Sequence, residues 1–345
     1  MDSSTSHFKK VPCRALLLLA VALASWAACA LYSLRLNPEV NHYRYGYGIK
    51  RQWAGQMTRE HGAKFVVYGG SSCEFSIDGE TLLSKYGEPV VNDGRHAGMG
   101  PVVLTESALS DLRPGDTLIV GLEPGLLTMP FGKEPALGVQ FSFAVGHPGW
   151  VLHPALGMGR ATWIQAAAAL RPGGFFAFTL LGKWIRGQPS YRYKASDFHR
   201  SGWCETDVRV PMTGAAGHGP HLSEDARALL TNISLWCRTN GIRVAYSLAW
   251  SYCPPDQLRE FRKSNAEIVA EIMPIIPVLR DDSLGANPDA RNFADTALHL
   301  STTGAAQRTD EFGRQIQQWN TWTREDLDRT IAGLENPASG ETKTP

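Results

Sequence analysis

The apolar and polar positions divide this chain into an uncharged N-terminal run, an alternating middle and a polar end. Ala15 to Leu34 carries no charge, and the cations Lys9, Lys10 and Arg14 precede it. At about 1.5 Å per helical residue, this run covers a hydrocarbon core of about 30 Å. We therefore predict a transmembrane helix over residues 15–34 that anchors the protein in the lipid bilayer.

The flanking charges predict the orientation of this anchor. Cations before an apolar span favour the cytoplasmic side, so residues 1–14 form a basic cytoplasmic segment and the rest of the chain lies outside the cytoplasm, in the periplasm or its equivalent. A cleaved signal peptide is the alternative, because Ala22-Leu23-Ala24 and Ala28-Cys29-Ala30 offer small residues at suitable positions. Cys29 as a lipoprotein acceptor is less favoured, since bulky Trp26 stands where a small aliphatic residue is usual.

Beyond a juxtamembrane linker at 35–59, short β-branched runs alternate with longer amphipathic runs. The strands are predicted at 64–68, 89–92, 117–120, 242–248 and 275–279, and the helices at 101–112, 223–240, 255–273 and from about 303. Strands that alternate with helices indicate an α/β fold with a parallel sheet covered on both faces.

Two segments depart from this alternation. Residues 128–220 are rich in Gly, Pro and aromatic residues and read as an insertion. They predict either a helical subdomain with its own small core, or a lid or acceptor groove beside a site. The domain itself is predicted over 60–335, and the tail 336–345 is too polar to fold alone.

Charge and cysteine content narrow the classes of function. The chain has 34 basic and 33 acidic side chains, a net charge of +1, so it lacks the positive field of a nucleic-acid-binding protein. No CxxC or other zinc spacing occurs, and we expect no metal. The four cysteines beyond the anchor would face an oxidising compartment, and we expect mainly buried thiols with at most one disulfide of unknown pairing.

Polar residues that directly follow strands are the first candidates for a site, because ligands of open parallel sheets bind at the carboxyl ends of the strands. The first strand leads into Gly69-Gly70-Ser71-Ser72, and a C-terminal segment carries Asp295 and His299 before a helix. A serine hydroxyl needs a base to accept its proton, and an imidazole needs a partner that fixes its tautomer. Ser72, His299 and Asp295 can supply these three roles, and amides of the glycine-rich loop at 92–100 can stabilise an oxyanion.

These segments resemble the SGNH/GDSL hydrolase superfamily, and within it the membrane-anchored bacterial branch related to cell-surface acyl-transfer proteins. The resemblance covers about residues 60–318, and its matching pieces follow the family's order: Gly70-Ser71-Ser72 with Ile77-Asp78, Asn92 to Gly98, and Asp295 to His299 with Leu300 and Gly304. It implies a flavodoxin-like three-layer αβα sandwich. It also implies that Ser72 is the nucleophile, that the amides of Ser72 and Gly98 form the oxyanion hole, and that His299 is the base oriented by Asp295.

The chain departs from the family's pattern at two places. Where the third block normally has an asparagine donor, this chain has Glu123, whose negative charge would repel an oxyanion unless it is protonated or turned away. Glu123 could instead bind a substrate hydroxyl, and His96 in the second loop is a second candidate substrate contact. In addition, three residues separate Asp295 from His299 where two are commoner, and the second loop is one residue longer than usual.

Each motif also has a plainer interpretation. The Gly69–Ser72 segment could be a tight turn or a phosphate nest, although no lysine follows as a P-loop requires. Cys73 is an alternative nucleophile. His218 and His221 could hold a metal, but a plain loop is the more economical interpretation because no acid or thiol lies nearby in sequence.

The leading functional hypothesis is a membrane-anchored extracytoplasmic serine esterase or O-acyltransferase. It would act on acyl esters of a cell-surface glycan through an acyl-serine intermediate and would need no cofactor, and the resemblance adds a membrane acyltransferase as a partner. The alternative is a catalytically inactive protein that binds glycan or scaffolds an envelope assembly. A nucleotide-binding domain is a third hypothesis, in which Asp93 would be the ribose ligand.

Overall fold

The computed structural model describes residues 5–171, 174–188, 191–215 and 217–335. The predicted tail at 336–345 and the first four residues of the predicted cytoplasmic segment lie outside these ranges. The helices are α1 Thr5–Leu31, α2 Pro38–His61, α3 Ser71–Glu74, α4 Gly79–Tyr86, α5 Pro101–Leu109, α6 Pro124–Leu127, α7 Ala136–Ala144, α8 Gly149–Leu152, α9 Trp163–Ala169, α10 Gly174–Ile185, α11 Glu224–Thr239, α12 Leu258–Ile272, α13 Thr302–Gln318 and α14 Arg324–Glu335. The strands are β1 Phe65–Gly69, β2 Val90–Asn92, β3 Thr117–Gly121, β4 Arg243–Tyr246, β5 Ser251–Tyr252 and β6 Ala286–Asn287.

The N-terminal helix is long and apolar enough to span a membrane. Helix α1 continues through one stretch of π-helix at Tyr32–Leu36, and the apolar span runs from Cys13 to Leu36. Most of its large side chains face outward, unpacked by protein. The prediction of one apolar N-terminal helix is confirmed, with slightly wider limits than 15–34.

The stretch predicted as a linker at 35–59 is instead the long helix α2. Asn37 caps it by accepting a hydrogen bond from the Glu39 amide at 3.0 Å, and Pro38 occupies its first turn. Its buried face, which includes Tyr43, Trp53 and Met57, packs into the main core of the domain. The segment reads as polar because most of its residues are polar, yet one helical face is apolar.

Four strands form a parallel sheet in the order β2-β1-β3-β4. Their β-branched runs predicted them correctly to within two residues at each end. The further strand predicted at 275–279 does not form, and the segment makes only two isolated bridges, a parallel one from Val278 to Tyr246 and an antiparallel one from Leu279 to Thr321. A separate short pair, β5 with β6, was not predicted.

The sheet is buried on both faces because its residues alternate between two apolar clusters. Val66 and Leu118 pack in the cluster that contains residues of α2, α5 and α11. Val67 and Ile119 point to the other cluster, which contains Leu82 of α4 and residues of α13. The chain is therefore an α/β protein with a parallel four-stranded sheet, as the alternation of runs predicted.

Within the described residues of the insertion at 128–220, the largest buried apolar side chains of the first half belong to the main core of the domain. Phe141 of α7 and both Trp150 and Val151 of α8 belong to the same buried cluster as the sheet and α2. Helices α7 and α8 are short and separated by Gly146 and Pro148, and they bury their apolar surface against the domain. Its first half therefore extends the main core, contrary to the expected separate subdomain.

A buried ion pair fastens α2 to the loops at the carboxyl edge of the sheet. Lys50 of α2 donates to the Glu74 carboxylate at 3.0 Å, and both side chains are about 1% exposed. The same ammonium group donates to the carbonyl oxygen of Gly94. Three separate segments thus meet at one cation that water does not reach.

We expect Lys50→Met to destabilise the protein strongly, because it leaves the Glu74 carboxylate buried without its cation. Breaking a buried pair from one side costs about 3–5 kcal/mol, which should lower the thermal unfolding midpoint of the full chain in detergent by several degrees. The matched change Lys85→Met removes an exposed partner of Asp310 and should leave the midpoint nearly unchanged. Equal midpoints for the two variants would show that Lys50 does not hold α2 in place.

Candidate active site

Ser72 lies directly beyond the carboxyl end of β1, at the start of the helical turn α3. Glycine at position 70 leaves room for the Glu123 carboxylate, since a Cβ there would lie 2.2 Å from its Oε1. The Ser72 side chain is only 2% exposed. The predicted nucleophile is therefore positioned at the expected edge of the sheet, but it is covered.

Glu123 covers it. Its carboxylate accepts hydrogen bonds from the Gly70 amide at 3.1 Å, the Ser72 amide at 3.2 Å and the Ser72 hydroxyl at 2.7 Å. Three donors that converge on one anionic group form an anion-binding site, built here from the turn after β1. The amide of Ser72, which was predicted to serve the oxyanion hole, is thus occupied by the residue that departs from the family's pattern.

The second loop packs tightly against the first. Asn92 is fully buried, and its amide nitrogen donates to the carbonyl oxygens of Cys73 at 2.9 Å and Ile77 at 2.8 Å. Its side-chain oxygen accepts from the Gly94 amide at 2.9 Å. The loop after β2 is therefore fixed to the turn that carries Ser72.

The predicted oxyanion donor Gly98 lies farther along this loop and is exposed. Its amide donates to Nδ1 of His96 at 2.8 Å, within a short 3-10 turn. The His96 ring is half-buried and faces the Tyr43 ring edge-on, with 6.0 Å between the ring centres. In this conformation the Gly98 amide and the His96 ring are paired by a hydrogen bond. The amide is available to a ligand only if the His96 ring turns away.

Asp295 and His299 meet in the loop before α13. The Ala294 amide donates to the His299 carbonyl oxygen at 2.8 Å, which closes a turn, and this turn brings Oδ1 of Asp295 to 2.9 Å from Nδ1 of His299. Ser301 then caps α13 by accepting from the Gly304 amide. The predicted acid–imidazole pair is present, and it is almost fully buried.

Two residues of the insertion, which the sequence did not single out, complete this pair. Arg192 forms an ion pair with Oδ2 of Asp295 at 2.8 Å. The Tyr193 hydroxyl lies 2.7 Å from the same oxygen and 3.0 Å from Nδ1 of His299. The run Tyr191-Arg192-Tyr193 is visible as an aromatic and basic cluster, but nothing local indicates that it reaches Asp295.

These contacts hold Asp295 in its charged form. Burial by itself would raise the pKa of Asp295, but hydrogen bonds from His299, Tyr193 and Arg192 outweigh it and hold the pKa well below its usual range. The pKa of Tyr193 is raised well above its ordinary value, chiefly by burial and secondly by the hydrogen bond to Asp295. Asp295 is therefore an acceptor with a fixed charge, and Tyr193 is a neutral donor to it.

His299 packs against the turn that carries Ser72. Its ring stacks on Phe75 with 4.3 Å between the ring centres and an angle of 28°, and Phe75 is three residues after Ser72. Nε2 of His299 makes no hydrogen bond to any described residue, and none joins Ser72 to His299. The structure thus brings Asp295 and His299 together beside the Ser72 turn, while the Ser72 hydroxyl itself is held by Glu123.

The alternative site residues are placed less favourably. Burial raises the pKa of the Cys73 thiol well above its ordinary value, so the thiol stays protonated and is a poor nucleophile. His221 pairs with Glu271 at 2.8 Å, and His218 contacts the carbonyl oxygen of Gly219. Across the described residues no group of three His, Cys, Asp or Glu side chains is arranged to hold a metal, and all six cysteines are free thiols.

A cavity of about 430 Å³ opens on the far side of Glu123. Its wall includes Glu123, Leu298 next to His299, and both His218 and Phe261, which sequence reasoning did not connect with the site. Ser72 does not line it. Glu123 is thus the group that contacts both the cavity and the Ser72 hydroxyl.

No protein-family model, curated protein or solved structure matches the chain. Its function must therefore be inferred from the arrangement of Ser72, Glu123, Asp295 and His299. In this arrangement the His299 imidazole, oriented by Asp295, packs beside a turn that carries the Ser72 hydroxyl and the amides of Gly70 and Ser72.

We expect the stabilising effect of Asp295 to depend on pH. A carboxyl group with a depressed folded-state pKa stabilises the fold above the ordinary aspartate pKa of about 4, and this contribution is lost as the pH falls below it. Asp295→Asn should therefore lower the urea midpoint of unfolding at pH 7, and the gap to the unaltered protein should narrow between pH 4 and pH 3. Asp282→Asn, at an exposed position, is the control and should change the midpoint little at either pH. A gap of constant size across this range would contradict the charged state of Asp295.

Proposed function

We propose that this protein is a membrane-anchored serine esterase or O-acyltransferase of the SGNH/GDSL type. In this proposal its fold is the flavodoxin-like three-layer αβα sandwich, Ser72 is the nucleophile, and His299 with Asp295 is the base system. Acyl esters of a cell-surface glycan are the substrates. The active domain lies outside the cytoplasm, with the N-terminus inside.

The sheet supports the fold assignment. The order β2-β1-β3-β4 with all pairs parallel is the beginning of a flavodoxin-like order, and the candidate residues follow β1, β2 and β3 at the carboxyl edge. Apolar clusters on both faces of the sheet agree with helical layers above and below it. Fold alone carries no activity, so the function depends on the site.

One observation carries the functional proposal, which is the position of His299. Asp295 fixes Nδ1 of its ring, the ring stacks on Phe75, and Nε2 is left without a partner among the described residues. An imidazole that acts as the base for a serine needs its Nδ1 held by a hydrogen bond and its Nε2 free to accept the hydroxyl proton. Phe75 and Ser72 share one short turn, and the proposal requires the Ser72 hydroxyl to leave Glu123 and turn to Nε2 of His299.

The proposed cycle needs only side chains. Oγ of Ser72 attacks the ester carbonyl carbon while Nε2 of His299 takes the hydroxyl proton, and the tetrahedral oxyanion then collapses. The bond to the alcohol breaks, the alcohol leaves with the proton from His299, and the acyl group stays on Ser72 as an ester. Water or a sugar hydroxyl, deprotonated by His299, attacks this ester and restores Ser72.

The convergent amides give this cycle an oxyanion site once Glu123 moves. The amides of Gly70 and Ser72 already bind the Glu123 carboxylate, the first at Oε2 and the second at Oε1. A tetrahedral oxyanion offers the same charge to the same donors, and each such donor contributes roughly 3–4 kcal/mol in known cases. Glu123 therefore occupies the site in the resting state, and a substrate that binds its carboxylate through a hydroxyl can draw it away.

A catalytically inactive glycan-binding or scaffold protein is the second candidate, and the contact of Glu123 with Ser72 favours it. The carboxylate satisfies both the hydroxyl and the amide of Ser72, and the side chain is nearly inaccessible. A protein that has lost its reaction can retain such a satisfied polar cluster for stability alone. In that case the cavity beside Glu123 would bind a ligand without turnover.

The resemblance that supports this assignment also suggests a membrane acyltransferase as a partner that supplies the acyl group. The apolar helix would place both proteins in one bilayer. The cycle itself requires no metal or cofactor.

We expect Ser72→Ala to abolish labelling by a fluorophosphonate probe, which forms a covalent bond with activated serines. The full chain in detergent is treated with the probe, and the bound label is measured on a gel and located by mass spectrometry. Cys73→Ala removes the neighbouring thiol and should keep the label, and His299→Ala should reduce it to background. A label that persists in Ser72→Ala would exclude Ser72 as the nucleophile, and absence of label in every variant would favour the binding protein.

We expect Glu123→Ala to accelerate this labelling. The change frees the Ser72 hydroxyl and two amides from the carboxylate, and loss of one hydrogen bond to a charged group, worth about 1.5–3 kcal/mol, corresponds to about 10- to 150-fold in rate. Glu123→Gln, which removes the charge and keeps the shape, should give a smaller increase. Loss of labelling in both variants would show instead that the carboxylate activates Ser72 as its base.

A further inference from the structure

Helices α9 and α10 present large apolar side chains that no described part of the protein covers. Each of these is about half exposed or more: Trp163, Ile164, Phe178, Leu181, Trp184 and Ile185. Scattered apolar residues are normal on a protein surface. Six of them on two consecutive helices, including two tryptophans, mark a surface that contacts a membrane or another molecule.

The structure places α9 beside the membrane-spanning helix. Nε1 of Trp26 donates to the carbonyl oxygen of Ala167 in α9 at 2.8 Å. The end of the apolar span packs against the domain, since Ala30 and Ser33 are buried, and Trp26 lies four residues before Ala30, about 6 Å along a helix. Trp26 therefore lies near the domain-side end of the uncovered part of the span, and α9, which it contacts, lies close to the surface of the same leaflet.

The domain holds α9 with its apolar residues facing away from the protein. Ala166 is buried against the core, and the Gln140 side chain of α7 donates to the Ala169 carbonyl oxygen at 2.8 Å. Ile164, on the opposite side of the helix from Ala166, is 83% exposed, and Trp163 at the start of the helix is 66% exposed. The outward face of α9 is therefore a fixed feature of the fold.

The charges around the two helices have one sign. Arg160, Arg171, Lys183 and Arg186 are the charged residues between positions 160 and 188, and no Asp or Glu occurs there. The whole chain has a net charge of only +1, so this cluster is a strong local excess. Long cationic side chains beside an apolar face are typical of helices that lie in a membrane interface, where the cations reach lipid phosphates.

We propose that α9 and α10 dock into the outer leaflet of the bilayer that the N-terminal helix spans. Their six exposed apolar side chains lie among the acyl chains, and the flanking arginines and lysine bind the phosphates of anionic lipids. The protein is then attached to the membrane at two places, the spanning helix and this two-helix surface. The inference stands apart from the proposed chemistry, since none of these six side chains belongs to the candidate site.

This second attachment has a consequence for the site. Arg192 and Tyr193, which hold Asp295, follow Ile185 by only seven and eight residues. With α10 in the leaflet, the segment that completes the acid–imidazole pair starts at the membrane surface. The candidate site is thereby held at a fixed, short distance from the lipid headgroups.

Site-specific fluorescence in vesicles tests this proposal. The full chain with Cys13→Ser and Cys29→Ser receives one new cysteine, in Ile164→Cys or Trp184→Cys, and a polarity-sensitive fluorophore. The matched control is Leu235→Cys on α11, an apolar residue that is also exposed but lies on a different helix. Each protein is reconstituted in vesicles of phosphatidylcholine and phosphatidylglycerol at 3:1, and unfolding curves identify variants that keep the native fold.

Two quenchers distinguish the possible surroundings of the label. We expect aqueous iodide to quench the labels at 164 and 184 at least about fivefold less than the label at 235, and lipids with a nitroxide on the acyl chain to quench only the first two. Iodide quenching equal to that at 235 would overturn the proposal. Labels protected from both quenchers would overturn it too, because they would lie under protein, a second copy or a partner, and not in lipid.

Discussion

The parallel pairing of β1 with β3 brings the chemistry of this protein together. The two strands end at paired glycines, Gly69 and Gly121, and a Cβ on Gly69 would lie 2.2 Å from the Gly121 carbonyl oxygen. Because neither strand has a side chain at this point, the backbones stay close as they leave the sheet. Ser72 and Glu123, two or three residues farther on, therefore meet in a space that water hardly enters.

Polar groups buried at such an edge must find partners within the protein, and this requirement organises the surrounding loops. Asn92 ties the loop after β2 to the turn after β1, and Arg95 pairs with Asp93 through two hydrogen bonds while nearly fully buried. Lys50 reaches in from α2 to neutralise Glu74. The helix that follows the membrane span is thus part of the structure that supports the candidate site, and movement of α2 would disturb the Ser72 turn directly.

The candidate site consists of two halves, and the hydrogen bonds described for each half lie within that half. Glu123 binds the Ser72 hydroxyl and two amides, while Arg192 and Tyr193 hold Asp295 against His299. Phe75 connects the halves by packing, without a hydrogen bond between them. Activity in the proposed cycle requires the first half to open, so displacement of Glu123 is the natural control point for a substrate that enters from the adjoining cavity.

The sequence by itself determined what depends on neighbouring residues. The uncharged N-terminal run, the β-branched strands, the starts of the helices near residues 223 and 303 and the spacing of Asp295 from His299 all act over a few residues, so their patterns are readable along the chain. Only the tertiary structure decided that Glu123 occupies the Ser72 amide, that Tyr193 reaches Asp295 and that α2 belongs to the core. These contacts join residues 51 and 102 positions apart, or bury one face of a polar helix. They depend on which strands are neighbours and on where loops can pack. The preferences of neighbouring residues for helix or strand specify neither of these.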